Sequence, residues 1–175
     1  PGVIERDEHQ KFPKEQIERL ADLGFLGMMV KPGYGGSGFD TVSYVLAMEE
    51  VSKVDASVSV CMSVNNSLVC YGLQEFGTEE QKQKYLVPLA QGKKDAVLHI
   101  GAFLLSEPEA GSDATSQRTT AEDMGDYYLL NGTKNWITNG GTASTYLVIA
   151  QTDKSKGSRG INAFIVEKNW PGVVV

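Results

Sequence analysis

Phe103-Leu104-Leu105-Ser106-Glu107-Pro108-Glu109-Ala110-Gly111-Ser112-Asp113 opens as an apolar strand and closes as a turn of small polar residues. A strand end of this kind sets backbone N–H groups and hydroxyls at the rim of a sheet, where a ligand can reach them. Farther on, Asn131-Gly132-Thr133-Lys134-Asn135-Trp136-Ile137-Thr138-Asn139 reads as a tight turn feeding a strand that carries an indole and a hydroxyl. Together the two segments supply donors, a flat aromatic surface and a cleft wall.

Upstream, the chain reads as helical to about residue 92. Pro13 suits a helix start, and Ile17, Leu20 and Leu23 follow at roughly helical spacing before Gly24 as a C-cap. Asp40 can cap a helix carrying Val42, Val45, Leu46 and Val51, and Asp55 one running toward Gly72. Thr78-Glu79-Glu80-Gln81 has the capping-box pattern. The helix it opens should kink or divide at Pro88 before Gly92.

Downstream, the runs 100–105, 127–130, 134–138, 146–152 and 161–166 are short, apolar and rich in aromatic or β-branched residues, as strands are. Gly172-Val173-Val174-Val175 reads as one more. Asn131-Gly132 is a strong hairpin signal, because both residues tolerate φ > 0. Helices first and strands afterwards make an α+β fold, and a doubly wound dinucleotide fold is disfavoured.

Hydrophobic residues are 41% and charged residues 22% of the 175, enough for a packed core. The net charge of −6, with no Lys/Arg cluster, argues against nucleic-acid binding. No apolar run is long enough to span a bilayer, and the polar, acidic start is unlike a secretory signal. Cys61 and Cys70, nine apart in one expected helix, lie ~13.5 Å apart along its axis, too far for a disulfide. His9 and His99 have no partner at ligand spacing, so no metal site is expected. Ser112 lacks the Gly-x-Ser-x-Gly setting of a hydrolase nucleophile. The loop Gly33-Tyr34-Gly35-Gly36-Ser37-Gly38 lacks the Lys-Ser/Thr of a P-loop.

Four segments stand in an informative order: Pro32-Gly33-Tyr34-Gly35-Gly36-Ser37-Gly38, Phe76-Gly77-Thr78-Glu79-Glu80-Gln81-Lys82, Leu105-Ser106-Glu107-Pro108-Glu109-Ala110-Gly111-Ser112-Asp113 and Lys134-Asn135-Trp136-Ile137-Thr138-Asn139. With them the chain resembles the acyl-CoA dehydrogenase family of flavoenzymes over essentially its whole length. The resemblance implies an N-terminal helical domain at 1–97 and an antiparallel, barrel-like middle β domain at 98–175, incomplete. It also implies that the family's C-terminal four-helix domain is absent from this sequence.

The implied chemistry is flavin-dependent α,β-dehydrogenation of an acyl-CoA to the trans-2-enoyl-CoA, with electrons passed to an electron-transfer flavoprotein. The resemblance implies a short- or medium-chain substrate, and Leu105-Ser106-Glu107-Pro108, which resembles the butyryl-type members, favours the short-chain one. The implied FAD contacts are Phe103, Leu105, Ser106, Ser112, Trp136, Ile137 and Thr138, with Ser112 also the contact to the CoA portion of the substrate. In the family the base is a Glu of the C-terminal domain, so no catalytic residue is assigned here. The polypeptide by itself is therefore expected to be inactive. An acyl-CoA oxidase-like flavoenzyme and a non-catalytic binding fragment stand as alternatives. A homo-oligomer is implied for the full-length protein, in the bacterial cytoplasm or the mitochondrial matrix.

Each site residue also has a plainer reading. Trp136 can be a half-buried strand aromatic. The hydroxyls of Ser106 and Thr138 can bond to nearby backbone. Pro108 and Gly111 can be turn formers, and Asp113 a turn cap. The segment 93–99 is longer than the family's usual link and reads as an added edge strand or insertion. Val64-Asn65-Asn66-Ser67-Leu68 lacks a His that relatives often carry before Asn.

Overall fold

A computed structural model describes residues 2–175 and divides into two compact units, one ending at Gly101 and the other comprising Ala102–Val175. The first unit holds the helices α1 (Val3–Glu8), α2 (Lys14–Asp22), α3 (Thr41–Val54), α4 (Ala56–Ser63), α5 (Tyr71–Phe76), α6 (Glu79–Gln81) and α7 (Val87–Gln91). Helix α2 buries Ile17 and Ala21, four residues apart on one face. It stops where Gly24 takes φ 78° and donates its N–H to the Ala21 carbonyl at 2.9 Å. Asp40 caps α3, accepting from Ser43 N–H at 2.8 Å. Asp55 caps α4, accepting from Ser57 and Val58. Thr78 and Gln81 form the reciprocal capping box at α6. In α3, Tyr44 is buried, while Val42, Val45 and Leu46 lie exposed.

The helix expected from Asp55 toward Gly72 takes a different path. Between α4 and α5 the chain widens into a π-helical segment, Val64–Cys70. The wider turn lets the adjacent Asn65 and Asn66 both bury their side chains, which an ordinary helix resists for neighbours. A second π-helical segment, Lys82–Leu86, precedes α7, which carries Pro88. The proline has no N–H to give the preceding turn, and the widened turn relieves its clash there.

Residues 93–98 close back on the first unit as a hairpin of β1 (Lys93–Lys94) and β2 (Val97–Leu98), with Asp95 and Ala96 both at positive φ. The first unit runs on to Gly101.

The second unit is built on β3 (Gly101–Leu104), β4 (Thr120–Asp123), β5 (Tyr128–Asn131), β6 (Thr145–Gln151) and β7 (Ile161–Glu167). Their order is β3-β6-β4-β5, with β7 also on β6. β6 pairs antiparallel with β7 along its whole length, and β4 pairs antiparallel with β5. β4 meets β6 in parallel, at Thr120 and Gln151. The α+β class holds, but the sheet is mixed rather than purely antiparallel and does not close into a barrel among the described residues. β6 reads Thr-Tyr-Leu-Val-Ile-Ala-Gln and is buried except at the half-buried Ile149, as a strand flanked on both edges should be.

Three local expectations are corrected. Asn131-Gly132 makes no hairpin: Asn131 ends β5, and Gly132 passes so close to Thr119 that an added Cβ would lie 2.3 Å from its Oγ1. The hairpin turn lies instead between β4 and β5, at Gly125, with φ 93° and Met124 N–H on the Tyr127 carbonyl. Residues 134–138 and 172–175 are irregular rather than strands.

Candidate functional site

The turn after β3 is held by a buried ion pair. The Lys134 ammonium lies 2.8 Å from Glu107 Oε1, with side chains 6% and 5% exposed. Lys134 Nζ also donates to the Leu105 carbonyl at 2.9 Å and to Gln117 Oε1 at 3.1 Å. The Glu107 carboxylate accepts further from the backbone N–H groups of Arg118 at 2.6 Å and Thr119 at 3.0 Å. Both charges are therefore compensated by several hydrogen bonds, the condition under which a buried pair is tolerable.

Around Pro108-Glu109 the chain makes a tight turn. Glu107 N–H bonds to the Ala110 carbonyl at 3.0 Å, and Ala110 N–H returns to Glu107 at 3.2 Å. Asn135 N–H donates to the Ser106 carbonyl at 2.8 Å, which joins the two quoted segments side by side. Asp113 accepts from the hydroxyls of Thr115, at 2.7 Å, and Ser116, the behaviour of a turn cap.

Burial raises the Glu107 carboxyl, but the bonds from Lys134, Thr119 and Arg118 outweigh it and hold the group at about 2, below its ordinary 4.5. The folded value lies below the unfolded one. The stabilisation is therefore complete above pH 4.5 and is lost as the pH falls from 4.5 toward 2. Glu107→Gln should flatten this loss, worth on the order of 3 kcal/mol. Urea unfolding midpoints of the two proteins between pH 2 and pH 6 check it; parallel pH curves would count against the assignment.

The expected site residues fall in this neighbourhood. Phe103 lies in β3, and Phe103, Leu105 and Ser106 are half-buried, while Ser112 is exposed. Ile137 and Thr138 are half-buried in the irregular loop after Asn135. That loop is tied down by Gly140 N–H on the Ile137 carbonyl and by Tyr146 Oη on the Gly140 carbonyl at 2.7 Å.

The plainer readings of two residue types are excluded. Trp136 is 87% exposed at φ 58°, so it is neither half-buried nor in a strand. A tryptophan at positive φ stores backbone strain of about 1–2 kcal/mol. The hydroxyls of Ser106 and Thr138, and the Ser106 N–H, have no hydrogen-bond partner among the described residues. The site thus presents uncommitted donors beside an exposed indole. Lys134 and Gln117, which complete the buried cluster, were not among the expected site residues. Lys134 is signalled in the sequence as a lone charge in the run Asn131-Gly132-Thr133-Lys134-Asn135-Trp136 and as the start of the fourth quoted motif, whereas Gln117 carries no such signal.

The family model described as acyl-CoA dehydrogenase, N-terminal domain, matches residues 1–93, and that of the middle domain matches residues 102–175. This chain belongs to the acyl-CoA dehydrogenase family. The short-chain-specific acyl-CoA dehydrogenase of Clostridium acetobutylicum is 47% identical over 172 residues, 98% of this chain and 44% of that protein. The caffeyl-CoA reductase–Etf complex subunit CarC of Acetobacterium woodii is 48% identical over 169 residues, 97% of this chain and 43% of that subunit. Among solved structures, butyryl-CoA dehydrogenase from Megasphaera elsdenii superposes with a TM-score of 0.89 at 49% identity, covering 98% of this chain and 45% of its own. This acyl-CoA dehydrogenase chain thus spans less than half the length of these relatives. Related acyl-CoA dehydrogenases include bacterial and mitochondrial enzymes. No helix among the described residues is long and apolar enough to cross a membrane.

Proposed function

We propose that this chain supplies the flavin-facing wall of an FAD-dependent short-chain acyl-CoA dehydrogenase, which forms a trans-2-enoyl-CoA and passes electrons to an electron-transfer flavoprotein. The observation that carries the reading is the set of uncommitted donors at Ser106 and Thr138, held beside an exposed, strained Trp136. Those donors suit the acceptor-rich edge of an isoalloxazine, and the indole offers a flat π face to it. Bound FAD supplies the electron sink for a β-hydrogen leaving as hydride.

The protein's part is binding, orientation and charge. Leu105 and Ser106 donate from the backbone, and Ser106 from its hydroxyl, to the ring edge where negative charge develops. Phe103, Ile137 and Thr138 line the wall, and Trp136 covers a ring face. Ser112, on the exposed turn, faces the CoA portion of the substrate. Neither nearby glutamate serves as the base. Glu107 is buried and bonded to Lys134, and Glu109 is exposed and paired with Arg118 at 2.8 Å. A carboxylate held that far toward its ionised form is a poor proton acceptor.

The test is enoyl-CoA formation from butyryl-CoA with an artificial acceptor, alongside oxygen uptake. The full-length gene product should form enoyl-CoA without consuming oxygen, whereas the 175-residue polypeptide should form none. Oxygen uptake matching turnover would make the protein an oxidase, and turnover by the 175-residue polypeptide would place a base within it.

A further inference from the structure

Of the Ser106 and Glu107 amides, that of Ser106 is uncommitted among the described residues, and Lys134 decides where it points. A trans peptide holds its C=O and the following N–H in one plane, pointing in opposite directions. The Leu105 carbonyl is bound by Lys134 Nζ at 2.9 Å, so the Ser106 N–H must face away from the buried ammonium. The next peptide is committed at both ends: its carbonyl, Ser106 O, accepts from Asn135, and its N–H, on Glu107, donates to Ala110. Rotation of the Leu105–Ser106 plane is thereby restrained by its own carbonyl bond and by the committed peptide that follows it. The Ser106 N–H has no partner among the described residues.

We propose that Lys134 is a positioning residue: by holding the Leu105 carbonyl it aims the Ser106 N–H at the acceptor edge of the bound flavin. This rests on the flavin reading above. Glu107 and Gln117 hold the ammonium in place, and its three N–H donors are used within the chain. Its burial and its three different acceptors, a carboxylate, a backbone carbonyl and a side-chain amide, separate it from exposed lysines that meet carboxylates alone, such as Lys53 and Lys156.

The test uses the full-length gene product loaded with FAD. Lys134→Met removes the hold but leaves Glu107 buried without its cation, and the variant risks misfolding. The double variant Lys134→Met/Glu107→Gln removes the hold without leaving a lone charge. Both are expected to raise the FAD dissociation constant about tenfold, the worth of one well-aimed hydrogen bond. Both should also shift the flavin midpoint potential to more negative values, because a donor that stabilises the reduced ring is lost. Glu109→Gln, on the exposed side of the same turn, should change neither quantity. A folded double variant with the parental dissociation constant and potential would overturn the proposal while leaving the flavin reading intact. A parent protein that retains no flavin would overturn both.

Discussion

Lys134→Met is expected to lower the unfolding free energy by about 3–5 kcal/mol, the cost of breaking a buried pair from one side. The methionine fills much of the space of the lysine stem, so packing changes little. What changes is charge and hydrogen bonding. Glu107, with its side chain 5% exposed, would keep two backbone donors but lose its cation. Its carboxyl would then rise, because burial remains while the bond from Lys134 that opposed it is gone. The Leu105 carbonyl and Gln117 Oε1 would lose a donor at the same time. Urea unfolding at pH 7 checks the magnitude. Restored stability in the double variant with Glu107→Gln would show that the isolated carboxylate, rather than lost packing, was the cause. A single variant within about 1 kcal/mol of the parent would mean that water reaches the cluster.

The second large effect is expected at Asn65, which is fully buried in the π-helical segment of the first unit. Its amide Nδ2 donates to the Leu26 carbonyl at 2.8 Å and the Leu89 carbonyl at 3.0 Å. Its Oδ1 accepts from the Gly101 N–H at 2.8 Å. One side chain therefore joins the turn after α2, the end of α7 and the entry to β3. Asn66, beside it, bonds to Phe25, Met28 and Met62 in the same way. Asn65→Leu keeps the volume but removes a hydrogen bond from the Leu26 carbonyl, the Gly101 N–H and the Leu89 carbonyl, the last of which keeps its bond from Gly92 N–H. A buried group left without a partner costs about 1–3 kcal/mol. A total loss of about 4 kcal/mol is expected, since partial relaxation recovers some of the sum. Asn65→Asp keeps the acceptor for Gly101 but turns an oxygen toward two carbonyls, so it too should be destabilising. Thermal or urea unfolding of both variants checks this. A near-neutral Asn65→Leu would show that the three groups find other partners.

The pieces legible in the sequence were those whose cause is local. Asp40, Asp55 and Thr78 cap helices because a side-chain oxygen two or three residues away is all a cap requires. The change from helices to strands followed from periodicity, and the family from four motifs in order. The errors came where distant contacts overrode local preference. Asn131-Gly132 carries a hairpin signal, but β5 pairs backward with β4, and Gly132 is needed for its closeness to Thr119. Residues 134–138 carry strand-forming types, yet Lys134 turns inward to Glu107 and Trp136 takes a positive φ. The ion pair joins positions 27 apart in sequence, and no spacing rule links them. Adjacent buried asparagines are likewise illegible without the π-helical turn that lets both point inward.

The most direct test of the flavin wall is a visible absorption spectrum of the full-length gene product after FAD loading and desalting, followed by anaerobic addition of butyryl-CoA. Retained flavin bands that bleach on addition of the thioester are expected, with the bands weakened in the Lys134→Met/Glu107→Gln variant. A colourless parent protein, or flavin bands that butyryl-CoA leaves unchanged, would contradict the assignment of this chain as the wall of a short-chain acyl-CoA dehydrogenase.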